Sequence, residues 1–206
     1  MPSGVCVKAR QICMNLPNRL TVTRLLLTLC FVVVLSLEFP FHHTVAFAIF
    51  VLATLTDYFD GEIARRYNLV TNFGILMDPL VDKIMVTAAF ITLIPRGVMP
   101  SWVAIVVIVR EFLITGLRLL AAEKGQVLPA ESLGKHKTSW QIATILYFLL
   151  FLSSQEIFGR MEGATAQVWL TALYYGGIGM IAIMVTLTVL SGARYLWKNW
   201  SLVAGT

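Results

Sequence analysis

Between Asp57 and Asp82 the chain reads DYFDGEIARRYNLVTNFGILMDPLVD, and the four aspartates in it are spaced to act together. Asp57 and Asp60 lie three apart and Asp78 and Asp82 four apart, so each pair occupies one face of a helix. A short turn between two such helices would set the pairs against each other. Four carboxylates at close range stay ionised only around a cation. Oxygen donors select hard ions, so Mg2+ or Mn2+ is expected. Two ions would suit displacement at phosphorus, one on the attacking oxygen and the other on the leaving phosphate. Gly61 and Gly74 would each cost about 1 kcal/mol in a helix relative to alanine. Close approach of a phosphate-bearing ligand or close helix packing would account for them. Arg65 is placed to pair with a diphosphate, or with Arg66 to mark the edge of a membrane.

The elements that must hold this stretch are apolar. Of the 206 residues 58% are hydrophobic and 13% charged, and the mean hydropathy is +0.79. These values fit an all-α integral membrane protein rather than a soluble domain. Six apolar runs, at 20–38, 44–66, 74–94, 99–121, 138–154 and 167–195, predict six transmembrane helices. The fifth run is short, and Gly176, Gly177 and Gly179 in the sixth are candidates for a bend. Residues 5–16 carry apolar positions at helical spacing and read as an amphipathic interfacial helix or a frayed tail. Pro17 is expected to end that helix, with Asn18 or Thr21 capping the next. The chain thus divides into an N-terminal interfacial segment, 1–19, and one membrane domain, 20–206. No signal-peptide pattern opens it, so the first span is expected to drive insertion. An aspartate at the centre of a span costs roughly 2.5–3.5 kcal/mol, which makes four of them a site rather than decoration.

Basic residues collect on one side. Lys8, Arg10, Arg19, Arg24, Arg65, Arg66, Lys83, Arg118, Lys124, Lys135, Lys137, Arg194 and Lys198 fall there, against Arg96 and Arg160 opposite. This asymmetry predicts that both termini and the aspartates are cytoplasmic. The net charge of +5 is broken into short clusters without a continuous basic stripe, so no nucleic-acid partner is expected. Cys6, Cys13 and Cys30 show neither metal-ligand spacing nor an even number and receive no role.

Asp57, Asp60-Gly61, Ala64-Arg65, Gly74, Asp78 and Asp82 match the pattern DxxDGxxAR(x8)GxxxDxxxD without a departure. In this the chain resembles the CDP-alcohol phosphotransferases. The resemblance implies that Asp57, Asp60, Asp78 and Asp82 hold the metal ions and that Asp82 is also the general base. It implies that Gly61, Ala64, Arg65, Thr71 and Gly74 face a CDP-linked lipid, joined by Asn18 and Thr21 of the first span. It further implies transfer of a phosphatidyl group to an alcohol with release of CMP, and a homodimer in the membrane.

The acceptor alcohol must be read elsewhere. Arg110 lies well inside the fourth span and needs a partner, Glu111 or one of the aspartates. Arg110, Arg118, Lys135, Lys137 and Arg194 would together suit an acceptor that itself bears phosphate, while Lys135, Lys137 and Arg194 each alone serve equally as a cytoplasmic anchor. The segments LPNRLTVTR, REFLITGLR and GKHKTSWQ, the last read as a cytoplasmic loop, resemble those of bacterial phosphatidylglycerophosphate synthases. That implies CDP-diacylglycerol and sn-glycerol 3-phosphate as substrates and the bacterial inner membrane as location. Phosphatidylglycerol, serine and inositol phosphate are alternative acceptors. A cation transporter is the alternative from another class, although nothing acidic continues the route across the membrane. His42 and His43 read as interfacial residues on the far side, and His136 as a loop residue.

Overall fold

The structure, a computed structural model, describes residues 16–67, 72–125, 132–158 and 164–200; the side chains at 16–20, 58–67, 72–76, 132–136 and 164–166 fall outside that description. The described residues form helices without strands: α1 (Leu16–Ser36), α2 (His42–Tyr67), α3 (Asn72–Leu93), α4 (Ser101–Glu123), α5 (Ser132–Phe158) and α6 (Ala164–Lys198). Each expected apolar run corresponds to one helix. The proposed interfacial segment up to residue 15 lies outside the described residues.

Two expectations change, and the glycines of the sixth helix gain a packing reason. Pro17 does not precede the first span but sits in the first turn of α1. The amides of a first turn have no acceptor within the helix, so a residue without an N–H costs nothing there. The fifth helix is not short: α5 has 27 residues and begins at Ser132, so Lys135, His136 and Lys137 are helical rather than in a loop. Hydropathy marks only the apolar middle of a helix, and here polar turns extend it. Finally, α6 continues as a helix through its glycines. A Cβ on Gly176 would meet Tyr147 Oη at 2.5 Å, and one on Gly177 would meet the Phe148 ring at 2.6 Å. These two glycines admit α5 close against α6.

Helix α1 packs on α2 and α3, α2 on α5, and α6 on both α4 and α5. Between them lies one apolar core that includes Phe31, Phe50, Phe90, Val103, Phe148 and Met184, all nearly inaccessible. The outer surface is apolar too, with Trp102, Ile105, Phe112, Leu119 and Trp169 more than half exposed. Exposed apolar area on that scale calls for a non-aqueous neighbour. The segments Lys137–Phe158 and Gln167–Lys198 are long and apolar enough to cross a membrane, and Thr21–Ser36 and His42–Asp57 are shorter apolar stretches.

Tight turns join the helices where they are described. Gly97, in the turn before α4, has φ 73°, and Gly125, just after α4, has φ 71°. Both conformations suit a residue without Cβ. At its start, α2 is capped from another helix: Glu156 of α5 accepts the backbone N–H of His43 and of Thr44, each at 3.0 Å.

Candidate active site

Thr21, Arg24 and Thr28 lie three and four residues apart, so they form one buried polar stripe on the otherwise apolar α1. A stripe of this kind needs partners, and the aspartates supply them. Thr21 donates its hydroxyl to Asp78 Oδ1. Arg24 places one guanidinium nitrogen 2.7 Å from Asp57 Oδ1 and donates another to Asp82 Oδ1. Three carboxylates from α2 and α3 are thereby gathered on one face of α1. Arg24 is the positive charge that such a gathering requires, and its side chain is only 1% exposed.

The donor set fits a hard divalent ion. Among the described side chains it consists of carboxylate and hydroxyl oxygens. The side chains of Asp57 and Asp82 remain 40% and 45% exposed, so both can turn oxygens outward to a ligand. Asp60, Gly61, Ala64 and Arg65 lie on α2, Gly74 on α3 and Asn18 on α1, with side chains outside the described set. Thr71 is outside the described residues.

Pro79 stands between Asp78 and Asp82, inside α3. It has no N–H to give the carbonyl four residues earlier, and its ring crowds that turn. The helix therefore lacks one hydrogen bond in the turn that leads up to Asp78.

Beside the aspartates opens a cavity of about 500 Å³, lined by Asp57 and by a set of cations from three further helices. Lys83 of α3, Arg110 and Arg118 of α4, and Lys137 of α5 face it, against two lining carboxylates among the described residues, Asp57 and Glu111. Glu111 organises the wall: Arg110 Nη1 lies 3.2 Å from its Oε1, and Lys137 donates to the same oxygen. Arg110 Nη2 donates to Ser191 Oγ at 3.2 Å. Arg118 donates through Nε to Tyr195 Oη at 3.2 Å, with its guanidinium over that ring. Lys83 donates to Thr115. Arg110 Nε is buried without a hydrogen-bond partner among the described residues. Gly192 makes room for this arginine, since a Cβ there would meet Arg110 Cγ at 3.1 Å.

Two adjoining spaces complete the site. A groove of about 180 Å³ includes Asp82, Lys83, Glu111 and Gln141. A larger one, about 530 Å³, runs between α3 and α4 past Leu80, Ile84, Ile91, Phe112 and Leu119. It shares Lys83 and Glu111 with the polar cavity, so an apolar trough opens directly beside a charged pocket.

Of the basic residues read as an acceptor set, Arg110, Arg118 and Lys137 line the cavity. Arg194 lies instead on a surface groove with Trp197 and Lys198. One turn of helix explains this, because Ser191 and Tyr195 occupy the inward face of α6. Lys135 is on α5 with its side chain outside the described set. Sequence reasoning missed Arg24 and Lys83, which it counted only as orientation signals, and Ser191, Gly192 and Tyr195. The polar stripe on α1 was the available signal for Arg24.

Residues 14–204 match the family model described as CDP-alcohol phosphatidyltransferase. The chain is similar to the CDP-diacylglycerol–glycerol-3-phosphate 3-phosphatidyltransferase of Bacillus subtilis (strain 168), 37% identical over 198 residues that cover 90% of this chain and 95% of that one. It is similar to the protein of the same description from Rickettsia bellii (strain RML369-C), 31% identical with 88% and 93% covered. A probable phosphatidylglycerophosphate synthase of Mycobacterium tuberculosis (strain CDC 1551 / Oshkosh) is 35% identical, with 88% and 80% covered.

Proposed function

This chain belongs to the CDP-alcohol phosphatidyltransferase family, and from that membership we propose that it transfers the phosphatidyl group of CDP-diacylglycerol to sn-glycerol 3-phosphate. The products are phosphatidylglycerol phosphate and CMP, and the reaction belongs to phospholipid biosynthesis. The relatives at 31–37% identity carry names for this reaction. One observation carries the choice of acceptor: among the described residues, the cavity beside the aspartates has four cations and two carboxylates on its wall. A neutral alcohol needs no such excess of positive charge, whereas an alcohol bearing a phosphate does.

In this reading Asp57, Asp60, Asp78 and Asp82 hold divalent ions, Mg2+ or Mn2+ and two in number. When bound, the ions neutralise the diphosphate and stabilise the charge that develops at phosphorus. Asn18, Thr21, Gly61, Ala64, Arg65, Thr71 and Gly74 are assigned to the CDP moiety on the strength of the signature. The acyl chains suit the trough between α3 and α4, which opens on the apolar exterior. Arg110, Arg118 and Lys137 hold the acceptor phosphate, with Lys83 at the junction of pocket and trough. Asp82 takes the proton of the acceptor hydroxyl. The hydroxyl oxygen bonds to the lipid phosphorus as the bond from that phosphorus to the CMP oxygen breaks.

All six helices cross the membrane in this proposal, with both termini and the aspartates on the cytoplasmic side of a bacterial inner membrane, and two copies associate. The acceptor is tested by offering labelled CDP-diacylglycerol with glycerol 3-phosphate, phosphatidylglycerol, serine or inositol phosphate and identifying the lipid formed. Phosphatidylglycerol phosphate with stoichiometric CMP is expected; preferential use of another alcohol would replace this acceptor.

A further inference from the structure

The start of α2 and the end of α5 meet at the other end of the bundle from the aspartates. Fifteen residues of α2 separate Asp57 from His42, about 22 Å at 1.5 Å per residue. Here His42 Nδ1 lies 3.1 Å and His43 Nδ1 2.9 Å from the same oxygen of Glu156, Oε1. One ligand atom from each of the three residues falls within 4.8 Å of the others. The two imidazole rings lie 3.9 Å apart.

Helix capping explains part of this arrangement. The carboxylate accepts from the amides of His43 and Thr44 and from the Thr44 hydroxyl, each at 3.0 Å. Capping needs only the carboxylate, however, and does not call for two imidazoles on one of its oxygens. Beyond this ionic contact with Glu156, most of the ring nitrogens make no hydrogen bond among the described residues. His42 Nδ1 donates to the Phe39 carbonyl at 2.8 Å, which leaves Nε2 as the nitrogen with a free lone pair; His42 Nε2 and both nitrogens of His43 are buried without a hydrogen bond among the described residues. Nδ1 of His43 is thus close to Glu156 but wrongly angled to donate to it. Buried polar nitrogens left bare are costly and rare.

A shared ion resolves both features. Metal–nitrogen and metal–oxygen bonds of about 2.0–2.2 Å put neighbouring ligand atoms roughly 3–3.5 Å apart. The 2.9 Å between His43 Nδ1 and Glu156 Oε1 lies just below that span, and His42 offers its unbonded Nε2. Coordination also uses a ring lone pair that hydrogen bonding leaves idle. Imidazole with carboxylate suits Zn2+ and its neighbours, unlike the all-oxygen set at the aspartates. We propose that His42, His43 and Glu156 form a second metal site, for one Zn2+-like ion, that clamps the start of α2 to the end of α5.

The full-length protein in detergent, stripped by a chelator, is titrated with Co2+ in excess Mg2+, which occupies the aspartates and has little affinity for imidazole. One equivalent of Co2+ with the visible absorption of a nitrogen-ligated ion is expected, and Zn2+ should displace it. The double variant His42→Ala/His43→Ala should bind Co2+ at least about tenfold more weakly, lose the metal-induced rise in Tm and keep its Mg2+-supported transfer activity. Asp57→Asn should leave the Co2+ titration unchanged. If the double variant does not fold, Glu156→Gln takes its place, since the amide oxygen still accepts from the α2 amides but ligates poorly. Absence of Co2+ binding, or equal binding by wild type and variant, overturns the proposal.

Discussion

The residue that decides whether the aspartate cluster performs this chemistry is Asp82. It holds Arg24 and opens on the groove that leads to Lys83 and Glu111. Asp82→Asn keeps the shape and removes the base, so turnover should fall by about 10²–10⁴-fold. Binding of the CDP-lipid, followed by equilibrium dialysis with a labelled analogue, should change far less. Full turnover in this variant would move the proton acceptor elsewhere. Arg118→Ala and Lys137→Ala probe the neighbouring cavity. A hydrogen bond to a charged group contributes about 1.5–3 kcal/mol, so KM for glycerol 3-phosphate should rise roughly ten- to hundredfold while KM for the CDP-lipid moves little. Equal effects on both substrates would remove the separate acceptor pocket. At this scale the four aspartates were legible, because their spacing alone pairs them on helix faces. Arg24 and Lys83 were not, because a basic residue near a membrane edge reads the same whether it meets water or a carboxylate. Only the tertiary approach of α1 to α2 and α3, and of α3 to α4, reveals their partners.

At the scale of the helix, number and order were legible from the apolar runs, and ends were not. Hydropathy follows the apolar middle of each helix. It therefore clipped α5, whose first turns carry Lys135 and Lys137, and it assigned Pro17 to a break rather than to a first turn. The glycines of α6 show the same limit, since sequence cannot separate a bend from a close approach. The structure makes that difference measurable. Alanine at 177 would put its Cβ 2.6 Å from Phe148 Cε1, and a ring held at 1% exposure has nowhere to go. Gly177→Ala should destabilise by about 1–3 kcal/mol through overpacking. Gly179 has nothing within 4 Å of such a Cβ, so Gly179→Ala should gain up to about 1 kcal/mol of helix propensity. Thermal unfolding in detergent should therefore move in opposite directions for two alanines only two positions apart. Similar shifts would mean that α5 and α6 are not in contact at Gly177.

For the whole molecule, charge and chemistry share one end. Asp57, Lys83, Arg110, Arg118 and Lys137 meet around one cavity, and Lys124 and Lys198 lie exposed near the ends of α4 and α6. At the other end Arg96 donates to the Leu35 carbonyl, and Glu156 caps α2. A bilayer sorts such a molecule by its lysines and arginines, so the end with the cavity should face the cytoplasm, where water-soluble acceptor and CMP are exchanged. Helix α4 offers a direct test because it runs from one end to the other, with Ser101 exposed at its start and Lys124 exposed at its finish. In a variant whose Cys6, Cys13 and Cys30 are serine, Ser101→Cys should react with a membrane-impermeant maleimide on intact spheroplasts. Lys124→Cys should react only after the membrane is opened. The reverse labelling pattern would turn the protein over in the bilayer and put the aspartates on the wrong side for a cytoplasmic acceptor. Labelling of both positions from outside would mean that α4 does not cross.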